Sequence, residues 1–233
     1  QQAARAYSLA ADDKSAETHW LRAREFAQQA GLEAWRVDSE LAGFYSQLGS
    51  YSKAVDSYKR VRANAPPSDR ANATVLLCDL ALDHRDLSNA RKFIKVVPNI
   101  VSEFERKRLK YRIALAGADE SLQAQRNELL TLRADIDTRG RAKLDSLDGE
   151  FFAFVFDYRE AEESMGRATK GYESLDDDGQ ALTCRIRELA FAAMEMESDR
   201  AEVIQEKLRQ SKVFKSEEQR LYHELSWAYR EIA

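Results

Sequence analysis

The side chains that could carry catalysis or hold a metal are few and widely scattered. The three histidines, His19, His84 and His223, lie far apart, and none belongs to an H-E-x-x-H zinc pattern. Surface or helix-terminal positions are expected for all three. Serine, histidine and aspartate are present, but no Gly-x-Ser-x-Gly elbow would expose a nucleophile. Neither of the glycine patterns that cradle phosphates occurs. Ser174-Leu175-Asp176-Asp177-Asp178-Gly179 invites a calcium reading. With Gly179 at the sixth loop position, Arg185 falls at the twelfth, where a bidentate Glu is required. The loop fails at that ligand, and its carboxylates are expected to cap the following helix. Cys78 and Cys184 sit among apolar neighbours and are expected to be buried free thiols. No catalytic residue, metal site or cofactor is expected, and the reading is non-enzymatic.

Charge and aromatic clusters remain. Residues 103–112 hold Arg106, Lys107, Arg108, Lys110 and Arg112 against Glu103 and Glu105, expected as a solvated helix face with Phe104, Leu109 and Tyr111 packing elsewhere. Residues 157–178 are predominantly acidic, and the formal net charge is −4. A patchy, mildly acidic surface suits protein partners and excludes nucleic acid. In the cluster Phe151, Phe152, Phe154 and Phe156, the i, i+4 spacing predicts that Phe152 and Phe156 pack between helices. Phe151 and Phe154 would lie on other faces, as better candidates for binding.

The elements that must position these residues are helices. Among 233 residues there are 9 Gly and 3 Pro but 34 Ala, a balance that favours helix and leaves too few turn formers for a sheet fold. No run of apolar residues is long enough for a membrane helix. Residues 35–68 show the organisation best. Leu41, Ala42, Tyr45 and Leu48 share one helical face, Gly49-Ser50 breaks the helix, and Tyr51, Ala54, Val55, Tyr58 and Val61 share the next face before Pro66-Pro67 ends it.

This stretch resembles the tetratricopeptide repeat family. The 34-residue pattern of that family has large and small residues at positions 7 and 8, an aromatic at 11, Gly near 15, an aromatic at 17, Ala at 20, an aromatic at 24, Ala at 27 and Pro at 32. Leu41, Ala42, Tyr45, Gly49, Tyr51, Ala54, Tyr58, Val61 and Pro66 occupy those places. Asp38 stands where the family has Trp at position 4, and Val61 replaces the Ala at 27. Weaker matches follow. Leu77, Cys78, Ala81, Leu87, Ala90, Ile94 and Val97 form one set, and Gly149, Phe152, Tyr158, Ala161, Met165 and Ala168 another. The position-20 residues would be Ala16, Ala54, Ala90, Ala124, Ala161 and Ala201, with Leu122 an alternative to Ala124.

The resemblance implies an all-α, right-handed α-α superhelix of about twelve or thirteen antiparallel helices, as one domain over 1–233. Its repeats would span about 1–34, 35–68, 71–102, 103–138, 142–178 and 180–215, with a terminal helix at 216–233. That helix carries Leu225, Ser226 and Tyr229 at positions 7, 8 and 11 of a further repeat. It is either a capping helix or a repeat cut short, and its widely spread apolar residues favour the second, so the chain is expected to be part of a longer protein. Groove-facing positions in such folds would be Arg36, Ser39, Gly43 and Gln47 in the clearest repeat. Asn72, Asp79 and Asp83 follow in the next, then Glu150 and Phe154, and Trp227 in the terminal helix. The Lys and Asn of the family's carboxylate clamp are replaced by Ser39 and Gly43, then by Val75 and Asp79, which disfavours a chaperone-tail ligand. Asp79, Asp83 and Glu150 instead suggest a basic or neutral peptide or protein partner. Gly43, inside a helix with no packing role, would mark close backbone approach by a ligand. The expected function is a protein-interaction or sensory scaffold in the regulatory region of a larger, bacterial signalling protein. The alternatives are a peptide- or small-molecule-sensing pocket, a phosphatase-like helical-repeat enzyme, and homo-oligomerisation through the terminal helix.

Overall fold

A computed structural model describes residues 13–194, and all regular structure among them is helical. Ten helices follow in order: α1 (Asp13–Gln29), α2 (Ala34–Gln47), α3 (Tyr51–Asn64), α4 (Pro67–Asp83), α5 (Leu87–Ile94), α6 (Glu103–Ala116), α7 (Leu122–Leu130), α8 (Thr138–Phe154), α9 (Tyr158–Glu173) and α10 (Asp178–Met194). The chain divides into two compact units at 122/123. Ala201, His223, Trp227 and the expected terminal helix lie outside the described residues.

The turns show why the chain folds back on itself at these places. Gly49 adopts φ 65°, donates its N–H to Ser46 O, and lets Ser50 N–H reach Tyr45 O. That is a Schellman closure, in which a left-handed residue after the helix satisfies two carbonyls that the helix leaves open. The same pair of bonds closes α1 at Gly31, α4 at Arg85, α6 at Ala118, α8 at Phe156 and α9 at Asp176. Side chains then start the next helix. Asp86 accepts from Asn89 N–H, Asp157 from Glu160 N–H and Asp177 from Gln180 N–H. Asp177 thus caps α10, as expected of the acidic loop. Gly117, by contrast, sits at φ −92°, and it is Ala118 that takes the positive φ of that turn.

In the first unit, Leu41, Ala42, Ala54, Leu77, Cys78, Ala81 and Ala90 are completely buried, and Tyr45 and Tyr58 nearly so. Large residues fill the spaces that small ones open between helices, at roughly 1.5–3 kcal/mol for each large apolar side chain withdrawn from water. Ala16 and Ala161 are equally buried. Ala124 is exposed instead, while Leu122 and Leu129, seven residues apart on α7, are buried, so the alternative Leu122 holds the inward place. Val97 packs half-buried against this core but stands outside the helix expected to carry it. Helix α5 stops at Ile94, because Pro98 disfavours helical backbone at the residue before it. Phe93 is the buried aromatic of that helix.

The second unit is built around α8, α9 and α10, with Ala142, Met165, Ala168, Tyr172, Ala181 and Cys184 in its core. Helices α8 and α9 approach closely at two points. A Cβ on Gly149 would stand 2.8 Å from Met165 Cε and 3.1 Å from Ala161 O. A Cβ on Gly171 would stand 2.8 Å from Ala142 Cβ. Residues near the end of α8 meet the start of α9, and the reverse, as an antiparallel pair requires.

Candidate functional site

The residues expected to face a groove have different fates. Asp79 is spent internally. It receives a bidentate pair from Arg108, with Nη1 at 2.9 Å and Nη2 at 2.6 Å, and Arg112 adds a further bond to the same carboxylate. Arg112 also donates to Asp83 at 2.7 Å. Burial alone would raise the Asp79 pKa, but the two guanidiniums outweigh it and hold the carboxyl below its usual range. Arg108 in turn is buried and pushed up despite its burial, held charged by Asp79 and Glu105. The basic stretch at 103–112 is therefore not simply a solvated face. Arg108 and Arg112 bind α6 to α4, Arg106 bonds Asn99 at 3.1 Å, and Lys107 bonds Glu103 along α6 at 3.0 Å. Glu150 is likewise engaged, by Arg187 of α10. The acidic bias expected at Asp79, Asp83 and Glu150 is thus offset within the fold.

Among the other candidates, Arg36 lies over the ring of its neighbour Trp35 and bonds Glu33 at 2.6 Å. Gln47 and Asn72 are exposed, and Ser39 is half-buried. Nothing lies within 4 Å of a Cβ built on Gly43. His84 is exposed at the end of α4, its ring 4.7 Å from that of Tyr51. Cys78 and Cys184 are buried free thiols, pushed up to about 12 and about 11 by burial.

The aromatic cluster sorts differently from its spacing. Phe151 is buried and Phe152 half-buried, with the Arg126 guanidinium 4.6 and 4.8 Å from their ring centres while its Nε bonds Asp148 at 2.9 Å. Phe156 does not pack with Phe152. Helix α8 ends at Phe154, so the i, i+4 relation is broken, and Phe156 stands 77% exposed at φ 63°. Phe154 and Val155 are 45% and 46% exposed beside it. Phe156 meets Tyr158 edge-on at 6.3 Å, and Tyr158 stacks on Phe191 at 6.5 Å. An apolar corner therefore stands at the junction of α8 and α9, where water-facing turns are ordinarily polar. A bulky side chain at positive φ is strained, and such strain collects at functional places.

Sequence reasoning passed over a second set of residues. Asp38 is buried, with Arg60 Nε at 2.7 Å and Arg24 Nε at 2.9 Å from its Oδ1, while Arg60 donates to buried Ser57 at 2.8 Å. In the other unit, Asp145 is buried with Arg133 at 2.7 Å and Arg167 at 3.6 Å, and Arg167 donates to buried Ser164 at 2.8 Å. Asp38, Ser57 and Arg60 recur at the same spacings as Asp145, Ser164 and Arg167. The signal was available, since Asp38 and Asp145 both stand at position 4 of the stretches expected as repeats, 35–68 and 142–178. Phe44 and Phe151, both buried, correspond in the same register.

Compared with family models, characterised proteins and solved structures, the chain matches none of them.

Proposed function

We propose that this chain is a helical-repeat interaction module of the tetratricopeptide type, its helix pairs stacked as a right-handed solenoid, which binds a peptide or protein segment within a larger regulatory protein. The observation that carries the reading is the corner Phe154-Val155-Phe156, three exposed apolar side chains of which one sits in strained backbone. Stability alone would favour a polar residue or glycine there, so an aromatic at that place suits anchoring. Recurrence of the position-8 and position-20 small residues, and of the Asp–Ser–Arg set, supports the repeat reading. Asp79, Asp83 and Glu150 suggested a basic or neutral segment, but all three already hold arginines, and an apolar or aromatic segment fits the corner better.

The test is selection of a displayed peptide library against the protein, followed by affinity measurement on the Phe154→Ser/Phe156→Gly double variant. Enriched peptides should bind the variant at least tenfold more weakly, with its helical signal and melting transition preserved. Failure to enrich any peptide, or binders indifferent to the double variant, would refute the reading.

A further inference from the structure

A different place in the first unit is shaped for a small anion. A cavity of about 710 Å³ opens where the α1–α2 and α3–α4 connections lie side by side. Its volume is in the range of small-molecule sites. Arg24, Arg60 and Arg70 line it, with Asp38, Glu33 and the half-buried ring of Trp35.

The charges do not balance. Glu33 is taken by Arg36, which bonds it at 2.6 Å. Asp38 is shared by Arg24 and Arg60, one carboxylate for two guanidiniums. Arg70 forms no ion pair among the described residues, and its Nε donates at 2.8 Å to Ala65 O, which holds the guanidinium beside the cavity. Arg24 Nε is buried and lacks hydrogen-bond geometry to any acceptor, although Asp38 Oδ1 is only 2.9 Å away.

Two helix starts add to the same field. Helix α2 begins behind Glu33 and α4 behind Pro66, neither has a side-chain cap bond, and Glu33, Ala34, Ala65 and Pro66 are all at the cavity wall. Each start presents about half a positive charge. The three guanidiniums that line the cavity outnumber its two carboxylates by one, and with the two helix starts the site carries a positive surplus that an anion would offset.

We infer that this cavity binds a small molecule through a phosphomonoester head, held between Arg24 and Arg70, with its remainder against Trp35. Guanidiniums suit phosphate because their planar donors match its oxygens in pairs. The head group could belong to a nucleotide, a sugar phosphate or free phosphate, which share this chemistry. The site is separate from the aromatic corner, and its occupancy does not depend on a peptide being bound there.

The test uses the whole chain, titrated at constant ionic strength with inorganic phosphate, glucose 6-phosphate and AMP, followed by calorimetry and tryptophan fluorescence. At least one should bind saturably. If AMP alone does so, the Trp35 side selects an aromatic base; if glucose 6-phosphate binds equally, the head group suffices. Arg70→Gln should weaken binding by about tenfold or more, the loss expected for one charge-assisted contact. Arg70 is exposed and pairs with no carboxylate among the described residues, so this variant leaves the fold intact where Arg24→Gln would disturb Asp38. Trp35→Phe should abolish the fluorescence response while heat of binding persists. No saturable binding of any of the three ligands, or an Arg70→Gln variant that binds as wild type does, overturns the proposal.

Discussion

Replacing Phe156 separates the cost of its backbone from the value of its ring. At φ 63° an L-residue brings its Cβ against the carbonyl that follows, a penalty of about 1–2 kcal/mol that glycine escapes. The ring itself is 77% exposed and touches Tyr158 edge-on, so little burial is lost with it. Phe156→Ala and Phe156→Gly remove the same ring, and only the second relieves the backbone. Glycine gives back part of the gain through its greater freedom in the unfolded chain, about 0.5–1 kcal/mol. The glycine variant should therefore be more stable than the alanine variant by about 1 kcal/mol. In a chain of this length that is about 2–4 °C in melting temperature. Gly49 supplies the reciprocal measurement, because it closes the equivalent turn at φ 65° and a Cβ there would meet nothing within 4 Å. Gly49→Ala should cost about 1 kcal/mol from φ alone. The assay is paired thermal and urea unfolding followed by circular dichroism. A Phe156→Gly variant no more stable than Phe156→Ala would refute the strain argument, and with it the reason for treating the corner as retained for binding.

Other consequences are equally direct. Gly43 is inside α2 with open space around its Cα, so Gly43→Ala should stabilise by up to about 1 kcal/mol, opposite in sign to Gly49→Ala; loss of peptide binding in that variant would restore its reading as a point of ligand approach. Asp38→Asn leaves Arg24 and Arg60 facing a neutral amide; because their side chains are 25% and 34% exposed and water can reach them, the loss should be about 1–3 kcal/mol, less than for a fully enclosed pair, as read by urea unfolding. Asp79 has a carboxyl pKa lowered by its arginines, so its contribution is present at neutral pH and is lost as pH falls below about 4 and through the lower folded value. Asp79→Asn should remove that part of the acid-induced drop in melting temperature, measured between about pH 2 and 6. Cys78 and Cys184, pushed up to about 12 and about 11, should resist alkylation at about pH 8 in the folded protein and react promptly in urea. Equal rates in the two states would contradict their burial.

How much could be read beforehand follows from what each signal physically constrains. Apolar spacing reports which face a helix buries, and it placed Leu41, Ala42, Tyr45, Ala54 and Tyr58 correctly in the core, but not Leu48, which lies at the C-cap of α2 and is 41% exposed. It does not report where a helix ends when the turn lacks glycine. Arg85, Ala118, Phe156 and Asp176 all adopt the left-handed conformation that Gly31 and Gly49 adopt more cheaply. Extending the helical spacing of Phe152 through Phe156 therefore crossed a turn that no glycine advertised. Asp157, the cap beside it, was the better marker, as Asp86 and Asp177 are in their turns. Charge was the least legible quantity. Asp79 and Arg108 are far apart in sequence, so each looked like an exposed group until packing set them 2.6 Å apart.

The two polar sets bear on why Asp38 and Asp145 stand where the pattern that residues 35–68 resemble has Trp. At position 4, an indole would contribute by area and tolerate sliding of one helix along another. Asp38 and Asp145 contribute by direction instead, because their carboxylates must meet guanidiniums from other helices, or in the case of Arg133 from the turn after α7, or be left buried without a partner. Ser57 and Ser164, completely buried, fix the far ends of Arg60 and Arg167 and so restrict each arginine to one reach. Such pairs add little net stability, since desolvation consumes most of their Coulomb energy. Their effect is on alternatives: a shifted helix would leave a charge unpaired, at several kcal/mol, where a shifted indole would lose only contact area. In the first unit the arrangement has a second result. Because one carboxylate must serve two guanidiniums, the register device leaves positive charge at the cavity edge, and what aligns the helices also prepares the place for an anion.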